Sequence, residues 1–433
     1  MPPHTMKRFL FSLLFLFLSS TLHSQNTIEN EPVHIVFKEI SLPKIDTYIN
    51  RHIEKEVIPG GVFLIAKKNQ IIYLKSFGYN DQSEKQLYKN DDIFRIASMT
   101  KAITVTAILQ LFEQGKLELD DPVSKFIPAF NHMKVLVDSN KNDSTYTTVD
   151  AIRPITIKHL LTHTSGIYYG QFVKGNLRLS YEKQGLMRTG LFDKNRNTEQ
   201  VVDQIAQAPL AFQPGTKWIY GLNMDILGRI VEIASQQNLS DYFHEHIFSP
   251  LNMTDTYFYI PKEKQDRLVK LHIYEDQILE ILKPYPELNY PKFDAQNFYA
   301  GGGGLSSTAL DYAKFCLALI NNGALDVNRI LSSNSIALMN TDQIPELKKN
   351  HAGFTKMKGI GFGLGFGLIT DERPLLWPFS EDTFYWGGAF NTKFFIDPKE
   401  EVVFVGLTQI YPFKHDKFWN GLYKEVYKSL ENQ

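Results

Sequence analysis

Ser98 and Lys101 are the residues whose types and spacing best suit nucleophilic catalysis. They lie three positions apart in Phe94-Arg-Ile-Ala-Ser98-Met-Thr-Lys101, directly before an apolar segment. If this stretch begins a helix, both side chains fall on one face, one turn apart. The serine oxygen would lie in the positive field of the helix N-terminus, which favours developing negative charge. A lysine amine one turn along could then take the serine proton if its surroundings favoured the neutral amine.

The context of Ser98, and not the tetrapeptide, distinguishes it from other matches. Ser-x-x-Lys also occurs at Ser41-Leu-Pro-Lys44, where a proline lies between the pair, and at Ser180-Tyr-Glu-Lys183, in a polar stretch. The segment from 102 to 112 is apolar on most sides, and Gly115 is a suitable stop for a helix. We therefore predict a buried helix that holds Ser98 on a rigid element.

The first 24 residues have the layout of a secretory signal peptide. Lys7 and Arg8 precede an apolar run from Phe9 to Leu18, which small polar residues follow. That run is too short to span a membrane, so cleavage near Ser24 is expected and no membrane span should remain. We expect residues 25–433 to form one catalytic domain in the bacterial periplasm or outside the cell.

Charge and cysteine content exclude several classes of function. The chain has 46 basic and 47 acidic residues, which gives no support for binding nucleic acid or an anionic membrane. The only cysteine, Cys316, lies in an apolar pattern, so it reads as a core residue and no intrachain disulfide can form. An aromatic content of 13% fits an enzyme with an aromatic-lined cleft.

Strand patterns lie near both ends of the chain and helical patterns lie between them. The strand patterns cover 61–67, 71–77, 360–368, 383–386, 392–396 and 401–408, and the helical patterns cover 45–57, 102–112, 225–235, 310–320 and 415–430. These patterns predict an α+β fold. One antiparallel sheet, flanked by helices, should form from about 35–97 and 355–433, and a largely helical lobe from about 98–354.

Two further patterns do not predict a metal or cofactor. His159 and His163 are four residues apart on a short predicted helix that Thr156 caps and Gly166 closes, but no glutamate lies between them and no third ligand is evident. The glycines at 301–304 lack the basic residue of a phosphate-binding loop, so close backbone approach beside a cleft is their predicted role.

Residues 171–197, charged and Gly-spaced, are predicted to form a lid or rim.

Five motifs follow in a recognisable order along the chain. They are Ser98-Met-Thr-Lys101, His163-Thr-Ser-Gly166, Pro214-Gly-Thr with Tyr220, Gly302-Gly-Gly-Leu-Ser-Ser and Trp386-Gly-Gly388. Together they resemble the serine β-lactamase and penicillin-binding-protein superfamily, and most closely the class C-type branch that includes the family VIII esterases. The resemblance covers about residues 35–430 and implies the β-lactamase/transpeptidase-like fold.

The resemblance also implies a division of labour. Ser98 would attack a carbonyl carbon and become acylated. Lys101 and the phenol of Tyr220 would form the pair that takes and returns protons. The backbone N–H groups of Ser98 and Ala389 would form the oxyanion hole.

Two departures from the family pattern concern the substrate. Leu222 stands where Tyr-x-Asn has its asparagine, with Asn223 one place later, and Trp386 stands where a lysine or histidine is usual. Substrate contacts are therefore expected from Trp386, Gly387, Gly388, Leu222 and Asn223. Such a cleft is less cationic and more apolar, which favours neutral esters over an anionic β-lactam or peptide C-terminus. The family VIII esterases are similar in having Trp-Gly-Gly.

The expected function is a carboxylesterase that cleaves esters, or amides, of small molecules without a cofactor. One alternative is a penicillin-binding D-peptidase, a D-aminopeptidase or a weak β-lactamase acting on peptides or antibiotics. A second is a binding protein without catalysis, against which the intact set of Ser98, Lys101 and Tyr220 argues. The Gly-x-Ser-x-Gly pattern of α/β-hydrolases is absent from the sequence.

Overall fold

The structure, a computed structural model, describes most of the chain after residue 33. The described residues are 34–140, 145–187, 189–191, 193, 195–275, 278–281, 291, 298–347, 359–370, 377–412 and 416–431. They all belong to one compact unit, Pro32–Gln433. The signal peptide predicted for 1–24 lies outside the described residues and stays a prediction.

Strands occur at both ends of the chain and in shorter pairs between them. In chain order they are β1 (Val36–Phe37), β2 (Gly60–Lys67), β3 (Gln70–Asp81), β4 (Gln86–Leu87), β5 (Phe94–Arg95), β6 (Lys134–Asn140), β7 (Thr145–Asp150), β8 (His272–Glu275), β9 (Ile278–Ile281), β10 (Ser306–Ser307), β11 (Ala324–Leu325), β12 (Asn328–Arg329), β13 (Ile360–Phe362), β14 (Gly367–Ile369), β15 (Phe384–Gly388), β16 (Thr392–Asp397) and β17 (Val402–Leu407).

Helices make up most of the middle of the chain. The α-helices are α1 (Pro43–Glu54), α2 (Thr100–Glu113), α3 (Ile157–Leu161), α4 (Asn176–Lys183), α5 (Thr198–Ala206), α6 (Asn223–Ser235), α7 (Leu239–Phe243), α8 (Ala309–Ile320), α9 (Ser333–Met339) and α10 (Asp416–Leu430). Single turns of 3-10 helix lie at Ala97–Met99, Val123–Lys125, Pro128–Phe130 and Gly170–Phe172, a longer 3-10 segment at Lys262–Arg267, and a π-helix at His244–Phe248. Within the described residues no helix is long and apolar enough to cross a membrane.

A nine-stranded sheet joins the two ends of the chain. Its order is β1-β3-β2-β17-β16-β15-β14-β13, with β4 also paired to β3. The ends meet where β17 pairs antiparallel with β2, Leu407 opposite Val62. Within the described strands the departure from antiparallel pairing is β1, which lies parallel to β3 at one edge. The predicted α+β fold, with a sheet formed from both chain ends, is confirmed.

Local sequence explains the hairpin of β2 and β3. The two residues between them, Lys68 and Asn69, both have positive φ, at 50° and 62°. Two-residue turns with φ positive at both positions match the right-handed twist of the paired strands. Lys68 and Asn69 therefore form the turn of this hairpin, and the turn sets the register of the two strands.

One strand prediction was wrong. The glycine-alternating stretch 360–368 forms two short strands, β13 and β14, that pair antiparallel. The chain reverses between them, where the N–H of Gly363 donates to the oxygen of Phe366 at 2.9 Å and Gly365 has φ +80°. An alternation of apolar residues with glycine fits one strand or a tight hairpin equally well, because glycine also permits the positive φ of a turn.

Helices cover both faces of the sheet, so its central strands are buried on both sides. Alternate residues of β2 point to opposite faces. Val62 and Leu64 belong to the larger core that contains α2, α6 and α8. Phe63 and Ile65 belong to the smaller core under α1 and α10. Cys316 is fully buried in α8, as its apolar pattern predicted.

Helix α2 runs through the larger core. All its residues from Thr100 to Leu111 are buried, and Gly115 follows the helix with φ +67° as the predicted stop. Helix α3 begins with the predicted cap, the hydroxyl of Thr156, which accepts the N–H of His159. It ends at Leu161 and not at Gly166, because His163 already has a left-handed backbone, with φ +54°.

The indole of Trp419 fixes α10 on the sheet, and its removal should cost substantial stability. The side chain is 1% exposed and its Nε1 donates to Oδ1 of Asn391 at 2.5 Å. We expect Trp419→Ala to lower the free energy of unfolding by about 3–5 kcal/mol, since a large buried ring is lost. Urea unfolding followed by circular dichroism measures this loss. Val327→Ala, at a side chain that is 79% exposed, is the control; equal unfolding midpoints would contradict the prediction.

Candidate active site

Ser98 lies in a strained turn between β5 and α2. The turn Ala97–Met99 is a single 3-10 turn, and Ala97 has φ +43°, which a residue with a side chain rarely adopts. Such strain costs about 1–3 kcal/mol and persists only where the surroundings impose it. Here Ala97 and Met99 are buried, while Ser98 is partly exposed. The turn therefore leaves Ser98 accessible to solvent, whereas Ala97 and Met99 lie in the core.

The ammonium group of Lys101 is completely buried and has three hydrogen-bond acceptors. Its Nζ donates to Oγ of Ser98 at 3.2 Å, to the hydroxyl of Tyr169 at 3.0 Å and to the carbonyl oxygen of Gly302 at 2.5 Å. Because an ammonium carries three N–H donors, these acceptors satisfy it completely. The structure thus brings Ser98 and Lys101 together, as their spacing predicted, and fixes the lysine.

Tyr220 contacts the ammonium with its ring face. The Nζ of Lys101 lies 4.7 Å from the ring centroid of Tyr220, within range of a cation–π contact. The Tyr220 hydroxyl accepts from Nε1 of Trp386 at 3.4 Å. The structure therefore brings Lys101, Tyr220 and Trp386 together. The role of Tyr220 as proton acceptor stays a prediction.

Tyr169 is a component of the site that sequence reasoning missed. Its ring is buried, its hydroxyl accepts from Lys101, and its centroid lies 5.3 Å from that of Tyr220. Burial, followed by the neighbouring Tyr220 and Asp225, raises the pKa of Tyr169 well above its ordinary value of 10.0. Tyr169 is therefore a neutral phenol at physiological pH. It lies three residues after Gly166, but nothing distinguishes it in sequence from the 21 tyrosines of the chain.

His163 holds the segment that carries Tyr220. Its carbonyl oxygen accepts the N–H of Ile219 at 2.9 Å, and its Nδ1 accepts from Nδ2 of Asn223 at 2.6 Å. Its ring centroid lies 4.8 Å from that of Tyr220. Burial, followed by the charge of Lys101, holds the pKa of His163 well below 6.5, so the ring is neutral.

The histidine pair at 159 and 163 serves two separate structural contacts. His159 accepts the N–H of Thr156 through Nδ1 at 3.1 Å and completes the cap of α3. His163 turns to the Tyr220 segment instead. Among the residues that the structure describes, no group of three His, Cys, Asp or Glu side chains is placed to hold a metal ion.

The side chains of Leu222 and Asn223 lie inside the protein next to the Tyr220 segment, and their contact with substrate stays a prediction. Both side chains are fully buried. Asn223 donates to His163 and accepts the hydroxyl of Ser165 at 2.5 Å, so its amide is already used inside the protein.

Strand β15 approaches the Ser98 turn closely. A Cβ atom at Gly388 would lie 2.3 Å from the carbonyl oxygen of Ile96 and 2.4 Å from Oγ1 of Thr392, so only glycine fits there. Ala389, the next residue, is exposed. At Gly387 a Cβ would meet Cδ of Lys393 at 2.6 Å, on the side of the strand opposite Trp386. The oxyanion hole formed by Ser98 and Ala389 stays a prediction.

An aromatic wall lines one side of the site. It consists of the rings of Trp386, Tyr220, Trp218 and Phe362, with centroid distances of 5.4 to 6.3 Å between contacting pairs. Trp218 and Phe362 are buried, whereas Trp386 and Tyr220 are partly exposed. The wall therefore offers an apolar surface on the side of the site where Tyr220 contacts Lys101.

The glycine segment 301–304 comes close to several side chains of the site, as predicted. A Cβ at Gly302 would lie 2.7 Å from Oδ2 of Asp225 and 2.9 Å from the hydroxyl of Tyr169. At Gly303 it would lie 2.8 Å from Cδ2 of Leu191. Leu191 belongs to the segment 171–197 and lies against these glycines; the role of that segment as a lid or rim stays a prediction.

Comparison with known proteins points to one family. The Beta-lactamase family model matches residues 45–428. The chain is 31% identical to the lovastatin esterase of Penicillium rubens over 84% of this chain and 92% of that protein. It is 27% identical to the esterase EstB of Burkholderia gladioli over 82% and 86%. Among solved structures it is similar to EstCE1, a hydrolase with promiscuous acyltransferase activity, with a TM-score of 0.74, 26% identity and coverage of 89% and 98%.

Two tyrosine variants separate the roles of the two phenols near Lys101. We expect Tyr220→Phe to lower kcat for a neutral chromogenic ester by about a hundredfold, because a proton acceptor is removed. Tyr169→Phe should lower kcat by about tenfold, since Lys101 loses one of its acceptors. Steady-state kinetics with each purified variant measures both.

Tyr88→Phe is the matched control for this pair. Tyr88 is also buried, and its hydroxyl has no hydrogen-bond partner among the described residues. A larger loss in Tyr169→Phe than in Tyr220→Phe would reverse the two roles and make Tyr169 the proton acceptor.

Proposed function

The chain belongs to the Beta-lactamase family and is a serine hydrolase, and from this premise we propose that it is a carboxylesterase that forms an acyl-enzyme on Ser98. The observation that carries the proposal is the hydrogen bond from the buried Lys101 ammonium to Oγ of Ser98. A hydroxyl and an amine within hydrogen-bond distance at the start of one helix support a nucleophile activated by a neighbouring proton-transfer group.

The proposed reaction has two steps. Oγ of Ser98 attacks the ester carbonyl carbon, its proton passes to the pair formed by Lys101 and Tyr220, and the N–H groups of Ser98 and Ala389 stabilise the oxyanion. The ester C–O bond then breaks and the alcohol leaves with that proton. In the second step a water molecule attacks the acyl carbon, and Ser98 recovers its proton as the carboxylic acid is released.

The aromatic wall supports a preference for neutral esters. Trp386 occupies the position where related enzymes place a cation, so an anionic group on the substrate has no partner there. The partly exposed rings of Trp386 and Tyr220 suit an apolar acyl or alcohol group. Two relatives are named as esterases, one of them for lovastatin, which supports ester hydrolysis and does not fix the substrate of this chain.

Acyl transfer to an alcohol is a second candidate. EstCE1, a similar structure, is described as having promiscuous acyltransferase activity. An apolar wall beside the acyl-enzyme would let a small alcohol compete with water for the acyl carbon. The two activities share the acyl-enzyme, so both depend on Ser98.

We also propose that the enzyme acts outside the cytoplasm. The proposal rests on the charged and apolar layout of residues 1–24. N-terminal sequencing of protein recovered from the periplasmic and cytoplasmic fractions of an expressing bacterium tests it. A mature N-terminus near residue 25 in the periplasm is the expected result, and an intact N-terminus in the cytoplasm alone would contradict it.

Covalent labelling tests the nucleophile. The protein is incubated with a fluorophosphonate and, separately, with benzylpenicillin, and its intact mass is measured. We expect one fluorophosphonate adduct, localised to Ser98 by peptide mapping and abolished in Ser98→Ala. We also expect no stable penicillin adduct, because Trp386 stands at the position where related enzymes have a cation for the β-lactam carboxylate. Adducts from both reagents would favour a penicillin-binding peptidase.

Lys101→Ala should lower kcat/KM for esters by about a thousandfold while folding is retained. Ser41→Ala and Lys44→Ala are the matched controls, because they belong to an exposed Ser-x-x-Lys match elsewhere. They should leave labelling and turnover unchanged. Full fluorophosphonate labelling of Ser98→Ala, or wild-type turnover of esters by Lys101→Ala, would contradict the proposed function.

A further inference from the structure

Asp225 is a buried carboxylate that the proposed reaction does not use. It lies in the first turn of α6, five residues after Tyr220, and its side chain has no exposure to solvent. Its Oδ1 accepts the N–H of Gly302 at 3.1 Å. Its Oδ2 is buried and has no hydrogen-bond partner among the described residues. A carboxylate in such surroundings is costly unless a cation compensates for it.

One peptide group connects Asp225 to Lys101. The N–H of Gly302 donates to Asp225, and the carbonyl oxygen of Gly302 accepts from Nζ of Lys101 at 2.5 Å. A carboxylate at the N–H end of a peptide polarises it and strengthens its oxygen as an acceptor. The orientation of this peptide therefore decides where one N–H of Lys101 points.

Asp225 is also close to the other groups that surround Lys101. A Cβ at Gly302 would lie 2.7 Å from Oδ2 of Asp225 and 2.9 Å from the Tyr169 hydroxyl, so the two oxygens share the space beside this glycine. The titratable groups that face this space are Lys101 from α2, Tyr169 from the segment after α3, and Tyr220 from the segment before α6.

The charge of Asp225 depends on pH in a range that kinetics can reach. Burial raises the pKa of Asp225 to about 6, and the charge of Lys101 and the Gly302 N–H limit that rise. Asp225 is therefore an anion at neutral pH, and its charge lies within electrostatic reach of Lys101.

We propose that Asp225 is the positioning residue of Lys101: it fixes the Gly302 peptide and directs the ammonium towards Ser98 and Tyr169. The inference rests on the proposed function and adds a residue to the same site. Asp225 does not touch the substrate in this arrangement. It acts through Gly302 and through its charge.

A purely structural role is the alternative. A carboxylate in the first turn stabilises a helix through its dipole, and the N-terminus of α6 has no side-chain cap. Loss of such a role would lower the melting temperature. It would not change the pH at which the catalytic groups titrate, so the two roles give different results in a pH profile.

The experiment compares Asp225→Asn and Asp225→Ala with the wild-type chain. kcat and KM for a neutral chromogenic ester are measured from about pH 5 to about pH 9, together with the rate of fluorophosphonate labelling. Asparagine retains an oxygen that accepts the Gly302 N–H and removes the charge. Alanine removes both, so the pair of variants separates orientation from charge.

We expect Asp225→Ala to lower kcat by about tenfold, with KM within about twofold, because Lys101 loses its orientation while the substrate cleft is intact. Asp225→Asn should keep most of kcat. The acid limb of its kcat/KM profile should move to lower pH by about half a unit or more. The sign follows because a buried anion favours protonation of the groups near it, and removal of that charge moves their protonation to lower pH.

Asp311→Asn is the matched control. Asp311 is also buried, accepts a backbone N–H, from Asp255 at 2.6 Å, and lies in the first turn of α8. The pH midpoint of the acid limb of its kcat/KM profile should equal that of the wild type. If Asp225→Ala does not fold, the kcat/KM profile of Asp225→Asn against pH decides between a positioning role and a purely structural role.

If the acid limb of the kcat/KM profile has the same pH midpoint in both Asp225 variants as in the wild type, the inference is overturned, even if the melting temperatures of the variants fall. A wild-type chain that neither turns over esters nor takes up the fluorophosphonate would overturn the proposed function, and the inference with it. An active wild type with unchanged Asp225 variants would overturn the inference alone.

Discussion

The rest of the structure depends on a buried ammonium group. Lys101 has no contact with solvent, and a charge in that position is tolerated only when its donors are satisfied. Its three acceptors come from residues 98, 169 and 302, which are far apart in the chain. The helix α2, the segment after α3 and the glycine segment must therefore all be in place before the site exists. This requirement links the fold directly to the arrangement of the nucleophile.

Close backbone packing makes the arrangement possible. Gly388 lets β15 lie against the carbonyl of Ile96, and Gly302 leaves room for Asp225 and the Tyr169 hydroxyl. The strained Ala97 directs Ser98 towards the cleft. Each of these features works at a distance of a few ångströms, where a single added methyl group would displace the backbone. The site is rigid because backbone atoms, as well as side chains, form its walls and are closely packed.

The apolar wall underlies the substrate preference that we propose. The nucleophile and lysine follow the family pattern, and the structure keeps both in place. At Trp386 the chain replaces a cation by a ring that packs on Tyr220. In the proposed function, apolar contact with this ring takes the place of electrostatic recognition of a carboxylate. The proposal therefore assigns reaction type and substrate preference to different residues, on α2 and on β15.

The sequence by itself determined what local spacing and periodicity encode. One helical turn places Ser98 beside Lys101, an apolar run makes α2 a buried helix, and alternating patterns at both ends produce the shared sheet. These features involve neighbours within a few residues, or a burial pattern repeated along one element. The turn at Lys68 and Asn69 belongs to the same class.

Only the tertiary structure decided which distant side chains meet at the lysine. Of the 21 tyrosines in the sequence, Tyr169 is one that lies beside the lysine. The amide of Asn223 contacts His163 inside the protein, and Asp225 is connected to Lys101 through the peptide of Gly302. The reversal within 360–368 also depended on how the glycines pack, because their alternation fits a strand and a hairpin alike. Such contacts arise from the packing of whole elements against each other, and the spacing of residues along one segment does not record them.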